Sequence, residues 1–177
     1  TETLLIHWFF TEHLLADDNG GQNEFHYYWP QREAIETIIY LYEIKKIKNV
    51  GSLIGEFYGD QADLLMARIQ PEDDRWPKDC CKIATGGGKT KVMSLAVVWS
   101  YFNSLYETGS SLTRHFVLIA PNLTVYERLK DDFENCKIFN TDPLIPEEWK
   151  GEFQVQTVLQ DQAGGNTTLG GIYLTNI

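Results

Sequence analysis

A glycine-rich stretch that ends in a lysine and a threonine is the part of this sequence best suited to chemistry. Residues 83–90 read Ile-Ala-Thr-Gly-Gly-Gly-Lys-Thr. Glycines let a backbone approach a phosphate closely, and the amides at the start of a following helix point at the phosphate oxygens. In such loops the lysine reaches the β- and γ-phosphates and the hydroxyl ligates Mg²⁺. The stretch therefore predicts a phosphate loop that binds a nucleotide.

The predicted phosphate site consists of Thr85, Gly86, Gly87, Gly88, Lys89, Thr90 and Lys91. Lys89 and Thr90 are its predicted catalytic groups, and Thr90 is also the predicted metal ligand. The pattern G-x-x-x-x-G-K-[ST] is broken only at its first glycine, where Ile83 stands. The alternative is a glycine-rich turn followed by a chance Lys-Thr pair. A chance match to G-x-G-K-T is expected in roughly one chain of this length in several hundred, which favours the phosphate site.

The flanking segments place the loop between a strand and a helix. The apolar residues of 80–84 predict a buried strand, and residues 92–106 predict a buried helix. Residues 116–120 predict a strand buried on both faces of a parallel sheet, and a helix is expected over 122–133. Strands are also predicted at 155–159 and 171–175, with a loop over 161–170. This alternation predicts an α/β fold with a parallel sheet and ligands at the carboxyl ends of its strands.

The N-terminal part of the chain predicts helices around an aromatic cluster. Residues 4–16 are expected to form a helix, and Pro30 suits the first turn of an amphipathic helix that continues beyond Gln31. An amide beside aromatic rings can stack on a purine and hydrogen-bond its edge, although a capped surface turn is the alternative. Residues 51–59 predict a turn-rich link, 60–69 a short helix and 71–77 a polar loop.

Composition limits the class of protein. The 177 residues suffice for one domain, and the net charge of -10 argues against broad non-specific binding to nucleic acid. The three cysteines and four histidines lack the spacing of metal sites, so the cysteines are expected to be reduced structural thiols. No signal-like segment or long apolar run occurs, which predicts a cytoplasmic protein without membrane contact.

Four motifs in order give the chain a resemblance to a known family. They begin with Trp29-Pro30-Gln31-Arg32-Glu33 and the phosphate loop, followed by Ala120-Pro121-Asn122-Leu123 and Tyr173-Leu174-Thr175-Asn176-Ile177. From about residue 25 onward the chain resembles superfamily-two DEAD/DEAH-type helicases, most closely the helicase (Res) subunits of type III restriction enzymes. The resemblance implies the N-terminal part of a first RecA-like motor domain, a P-loop three-layer sandwich whose parallel sheet is flanked by helices. We therefore expect residues 1–24 to be an N-terminal helical segment and 25–177 to be an incomplete RecA-like domain.

The resemblance also implies roles for single residues. Gln31 would recognise adenine, with Trp29 or Tyr28 as the stacking ring. Pro121, Asn122, Thr175 and Asn176 correspond to motifs that touch the nucleic-acid backbone, while a helix start and a strand end are the alternative interpretations. The implied cofactors are ATP and Mg²⁺, and the implied partners are DNA and a methyltransferase or another restriction or defence subunit.

What the chain lacks qualifies this expectation. The acidic D-E-x-H motif, which holds Mg²⁺ and positions water in the family, does not occur in the sequence. Because the chain begins at Thr1 and nothing like a domain terminus follows Ile177, we expect an excised fragment that binds nucleotide better than it hydrolyses it. Two other functions remain open at this point, a regulatory nucleotide-binding module without hydrolysis and a P-loop kinase for a small molecule.

Overall fold

A computed structural model describes residues 1–17, 20–162 and 167–177 of the chain. Residues 163–166, in the middle of the predicted loop, lie outside the described residues. The contacts divide the chain into two compact units, one of Thr1–Tyr28 with Gly88–Ile177 and one of Trp29–Gly87. The first is called the sheet unit below and the second the helical unit. The division into 1–24 and 25–177 stays a prediction.

The described chain consists of α-helices, strands and short helical turns. The α-helices are α1 (Glu2–Phe10), α2 (Trp29–Ile39), α3 (Val50–Phe57), α4 (Ala62–Met66), α5 (Lys89–Tyr106), α6 (Leu123–Phe133) and α7 (Lys137–Thr141). The strands are β1 (His13–Ala16), β2 (Gln22–Phe25), β3 (His115–Ala120), β4 (Gln156–Leu159) and β5 (Gly171–Asn176). A π-helix, Tyr40–Ile44, continues α2, and short 3-10 turns lie at Gly59–Gln61, Pro71–Asp73, Glu134–Cys136 and Glu147–Glu152.

A parallel three-stranded sheet is the framework of the sheet unit. The strands lie in the order β3-β5-β4, and Ala120 at the end of β3 pairs with Asn176 at the end of β5. Helix α6 packs on one face, where Ala120, Tyr126 and Leu174 form a buried cluster. The predicted α/β fold class, a parallel sheet with flanking helices of the RecA-like P-loop type, is confirmed.

Helix α5 is the buried centre of the sheet unit. Leu95 and Val98 have no exposed surface, and the neighbouring aromatic residues Tyr101 and Phe102 are each only 2% exposed. The Phe102 ring contacts that of Trp149 at 4.9 Å between centroids, and the Tyr101 hydroxyl donates to the carbonyl of Glu152. A helix apolar on most faces requires neighbours on most sides, and the predicted helix over 92–106 is confirmed.

Strand β3 differs from the prediction on one of its faces. Val117 is 62% exposed and Ile119 is 59% exposed, whereas the alternate residue Ala120 is fully buried. The prediction of burial on both faces is therefore wrong. A continuous apolar run indicates a strand but not which faces are covered, and α6 packs on the face that carries Leu118 and Ala120.

The predicted N-terminal helix over 4–16 is shorter than expected. Helix α1 ends at Phe10, and residues 13–16 form β1, which pairs antiparallel with β2. The sequence had suggested that residues 1–24 form a helical segment. The strand at residues 13–16 shows that this segment is only partly helical. The apolar residues Leu14 and Leu15 fit the helical spacing, but backbone pairing with β2 fixes them in a strand.

The predicted link over 51–59 is also wrong, because a helix forms there. Helix α3 covers Val50–Phe57, and its start is a capping box in which Asn49 accepts from the Ser52 amide at 2.8 Å. Asp74 accepts from two further amides at this helix start, those of Val50 and Gly51. Two side chains, those of Asn49 and Asp74, satisfy three amides of the first turn, which outweighs the low helix propensity of glycine. The short helix predicted over 60–69 is confirmed as α4.

The largest departure concerns the strand expected before the phosphate loop. Residues 80–84 form no strand, and both Cys80 and Cys81 are exposed. A strand is stable only when a neighbouring strand pairs its amides and carbonyls, and the ladders of the described sheet are β3 with β5 and β4 with β5. The charges of Lys78, Asp79 and Lys82 also keep this short segment in contact with water.

His7 makes the stability of the sheet unit sensitive to acid. Burial lowers the pKa of His7, the charge of His13 lowers it further, and a hydrogen bond to the backbone of Pro143 opposes both effects. Its Nε2 is buried without a hydrogen-bond partner among the described residues. The unfolded chain therefore binds the His7 proton more tightly than the folded chain does.

We expect the free energy of unfolding to fall as the pH drops below about 6.5, the ordinary pKa of histidine, toward the lowered pKa of the folded state. The contribution of His7 is fully present above that window. Urea unfolding at pH 7.5 and 5.5 should show a smaller loss on acidification for His7→Gln than for the wild type. Equal losses in the two proteins would remove His7 as the cause.

No helix in the described part of the chain has both the length and the apolar character needed to cross a membrane.

Candidate nucleotide site

The glycines of the loop are required by its backbone geometry. Gly86 has φ +81° and Gly88 has φ +77°, both in the left-handed region that other residues rarely adopt. At Gly87 the constraint is space, since an added Cβ would lie 2.5 Å from Cγ2 of Ile83 and 3.1 Å from the carbonyl oxygen of Ala84. The Gly87 amide donates to that same carbonyl and closes a turn. All three glycines thus have a local cause in the backbone, and their predicted contact with phosphate stays a prediction.

The start of α5 is suited to an anion. Gly88 is its N-cap, and a glycine has no side chain with which to cap the first-turn amides. The first turn carries no acidic residue, and the helix runs for 18 residues, so its dipole places partial positive charge at this end. Lys89 is exposed and Thr90 is half-buried in this turn. These features match the known requirements of phosphate binding at a helix start.

Gln31 lies against the phosphate loop within the helical unit. Its side chain is only 3% exposed, and its Nε2 donates to the carbonyl of Gly87 at 3.1 Å. The residues 31 and 87 are far apart in sequence, so this contact could not be read from local pattern. The two aromatic residues proposed for base stacking are accessible, with Trp29 68% and Tyr28 65% exposed.

Beside α2 lies a cavity of about 690 Å³, called the α2 pocket below. One wall is formed by Trp29, Ala34, Ile38 and Leu41 of the α2 region. The opposite wall is the segment 78–83 that precedes the loop, and it includes Cys80 and Cys81. Gln31 does not line this pocket, so the pocket is distinct from the contact between Gln31 and Gly87.

Lys91 is engaged within the sheet unit. Its ammonium forms an ion pair with the carboxylate of Asp142, whose side chain is 8% exposed. The same ammonium lies 5.9 Å from the centre of the Phe25 ring. Burial raises the pKa of nearby Asp132, and the positive charge of Lys91 opposes that rise. The predicted cofactor contact of Lys91 remains a prediction, made from spacing alone.

The two motifs proposed to touch nucleic acid lie at the same end of the sheet. Thr175 and Asn176 end β5 beside the end of β3, and Ile177 donates to the carbonyl of Ala120 at 3.1 Å. Pro121 follows β3 directly, and the Asn122 side chain caps α6 by accepting from the Val125 amide at 3.0 Å. Both structural alternatives, a helix start and a strand end, are therefore realised here. The nucleic-acid role of the four residues remains a prediction.

Gln160 is a residue that sequence reasoning missed. Its Oε1 accepts from the Thr175 hydroxyl at 3.2 Å and from the Asn176 amide at 3.0 Å. One amide side chain thus holds the end of β5 through two hydrogen bonds. Gln160 follows β4, and its proximity to Thr175 depends on the parallel pairing of β4 with β5.

A family model for the res subunit of type III restriction enzymes matches residues 24–177. The chain belongs to this family. The Res-subunit family is related to helicases, so the match supports a helicase-like ATPase family at a coarse level. Members of such families generally use ATP and Mg²⁺ and interact with nucleic acid. No curated protein and no solved structure matches the chain significantly.

Membership of the Res-subunit family agrees with the span of the resemblance seen in the sequence, which began near residue 25. The structure adds contacts of the predicted residues. Gln31 donates a hydrogen bond to the loop, Asp142 forms an ion pair with Lys91, and Gln160 accepts hydrogen bonds from the end of β5. Asp142 and Gln160 carried no sequence signal, because each acts through a contact made only in the folded chain.

Proposed function

We propose that this chain is the ATP-binding part of a nucleic-acid-dependent ATPase of Res type, a helicase or translocase that couples ATP hydrolysis to movement on DNA. The observation that carries the proposal is the loop itself. Two glycines in the left-handed region and a third that leaves no room for a side chain lead into a long helix that begins with Lys89 and Thr90. Such a turn serves close approach of a backbone to phosphate.

The residues fit a bound Mg²⁺ nucleotide. The Lys89 ammonium would neutralise the β- and γ-phosphates, and the Thr90 hydroxyl would ligate Mg²⁺. The bound metal would supply neutralisation of the charge on the phosphates. The amides at the start of α5 would donate to phosphate oxygens, since no acidic side chain in that turn competes for them.

Gln31 is proposed to read the base. Because the Gln31 side chain is hydrogen-bonded to Gly87, a base bound by its amide would be linked directly to the phosphate loop. Trp29 is exposed enough to stack on a purine. The proposal assigns the phosphates to residues 85–91 and adenine to Gln31 and Trp29. Because Lys91 is paired with Asp142, its share in phosphate binding would require that pair to open.

Hydrolysis by residues 1–177 is proposed to be slow. The sequence contains no D-E-x-H motif to position the attacking water, and phosphoryl transfer depends on such positioning. Contact with DNA is proposed for Pro121, Asn122, Thr175 and Asn176, through amides and short polar side chains. The net charge of -10 favours weak binding of nucleic acid by this stretch alone. A methyltransferase or another restriction or defence subunit is the proposed protein partner.

Gln31→Ala is expected to reduce the preference for ATP over GTP. The variant removes the proposed base contact and also the donor to the Gly87 carbonyl. We expect these losses to weaken ATP binding about tenfold. Competition between ATP and GTP for the wild type and the variant measures the change. Gln61→Ala, at an exposed glutamine of the same unit, is the control and should keep the wild-type ratio. Equal ATP and GTP affinities in the wild type would remove Gln31 from base recognition.

A further inference from the structure

Two adjacent thiols border the α2 pocket. Cys80 and Cys81 are both exposed and free of disulfides, and both line the pocket. They were expected to be buried in a core strand, where a thiol is inert. In the irregular segment that the structure shows, they are accessible to a reagent that enters from solvent. Because both thiols are accessible, Cys80 and Cys81 are candidates for covalent modification.

The helical wall of the α2 pocket is mostly apolar, with Glu33 and Thr37 as its polar residues, and the wall that carries the thiols also includes Lys78, Asp79 and Lys82. Ala34, Ile38 and Leu41 line the helical wall from the α2 region, and Leu53 lines it from α3. A volume of about 690 Å³ lies within the range of small-molecule sites, which are mostly apolar with a few polar groups. A small apolar molecule would be held here by burial of its surface, with a sulfur within reach.

A disulfide between the two cysteines is the less suitable product. Consecutive Cα atoms lie about 3.8 Å apart, and disulfides join Cα atoms about 4.4 to 6.8 Å apart. A bridge between Cys80 and Cys81 would thus be strained and easily reduced. Addition of one sulfur to an electrophile has no such constraint, so the geometry favours alkylation over oxidation.

We propose that Cys80 and Cys81 form a covalent modification site for apolar α,β-unsaturated carbonyl compounds, which the α2 pocket binds before a sulfur adds to them. The thiol loses its proton to solvent, and the thiolate sulfur forms a bond to the β-carbon of the double bond. The π-electron pair moves to the α-carbon side, where a proton from water completes the adduct. The step needs no oxidant or reductant.

The surroundings of Cys81 set the pH dependence of this chemistry. Burial raises the pKa of Cys81, and the neighbouring Asp79 and Cys80 raise it further. A smaller fraction of Cys81 is then thiolate near neutral pH, but each thiolate is intrinsically more nucleophilic. Selectivity at this site therefore comes from binding in the pocket and not from unusual acidity of the thiol.

The test compares two maleimides on the intact chain, N-phenylmaleimide and the polar, uncharged N-(2-hydroxyethyl)maleimide. Each rate is divided by the rate of the same reagent with glutathione, and mass spectrometry of digested protein assigns the adducts. We expect the Cys80–Cys81 pair to prefer the phenyl reagent about tenfold, the effect of removing part of an aromatic ring from water. Cys136 is the internal control, because it is half-buried, donates to the carbonyl of Val155 and lies outside the pocket.

Thr37 provides the matched variants. It is an exposed residue of α2 that lines the pocket, so a change there leaves the core of the helical unit intact. Thr37→Glu should abolish the preference for the phenyl reagent by placing a second carboxylate beside that of Glu33 on the helical wall of the pocket, and Thr37→Val should retain it. Denaturing the protein should also abolish the preference. A normalised ratio of one at Cys80 and Cys81 in the folded wild type, or an unchanged ratio in Thr37→Glu, would overturn the proposal.

Discussion

Lys89→Ala is expected to abolish the rise in melting temperature that we expect Mg²⁺-nucleotide to give the wild-type protein. A ligand that binds only the folded state stabilises it by about 2.7 kcal/mol at a hundredfold excess over its dissociation constant, which corresponds to several degrees. The variant removes the cation that we propose faces the phosphates. Because Lys89 is an exposed residue in the first turn of α5, the backbone of the loop and the helix should stay intact.

Lys48→Ala is the charge-matched control for this experiment. Lys48 is exposed and precedes α3, so its loss changes the net charge equally without touching the loop. The control should keep the full nucleotide-dependent shift, and Lys89→Ala without nucleotide should melt close to the wild type. If Lys89→Ala kept the shift, residues 86–90 would be a turn without a role in phosphate binding.

Gly87→Ala is expected to lower both the stability of the protein and its affinity for nucleotide. The added Cβ would lie 2.5 Å from Cγ2 of Ile83, so the loop or the Ile83 side chain must move. Overpacking of this kind costs about 1 to 3 kcal/mol, and the displaced loop should lose most of its nucleotide-dependent shift. Urea unfolding and melting with and without nucleotide measure the two effects.

A second substitution separates the steric cause from others. Ile83→Ala removes the clashing atom, so the double variant Ile83→Ala/Gly87→Ala should regain part of the lost stability. The stability that is not regained is due to the Ala84 carbonyl, which lies 3.1 Å from the added Cβ. Gly55→Ala is the control, because a Cβ at this helical glycine meets nothing within 4 Å and should stabilise α3 slightly. Additive effects of the two changes at 83 and 87 would show that the clash is not the cause.

The features predicted well from the sequence are those set by local chemistry. The glycines of the loop, the helix that starts after Asn122 and the apolar runs of β3 and β5 each have a cause within a few residues. A left-handed φ requires glycine, and an asparagine side chain can cap the helix that follows it. These local causes act in the same way in any fold that contains the segment.

The features predicted badly depend on partners elsewhere in the chain. Residues 80–84 have the composition of a strand but form no ladder in the described sheet, and residues 13–16 have helical spacing but pair with β2. Side-chain contacts such as that between Lys91 and Asp142 join residues remote in sequence. A single sequence carries no information on such pairs beyond general pattern, so their effects appear only in the folded protein.

The central claim is that residues 85–91 bind the phosphates of ATP, and titration calorimetry of the wild-type protein with Mg²⁺-ATP and with AMP tests it most directly. We expect saturable binding of Mg²⁺-ATP at a single site and much weaker binding of AMP, which lacks the β- and γ-phosphates that Lys89 would contact. Phosphate release measured on the same samples should be negligible. No heat of binding with Mg²⁺-ATP, or equal affinities for ATP and AMP, would contradict the account.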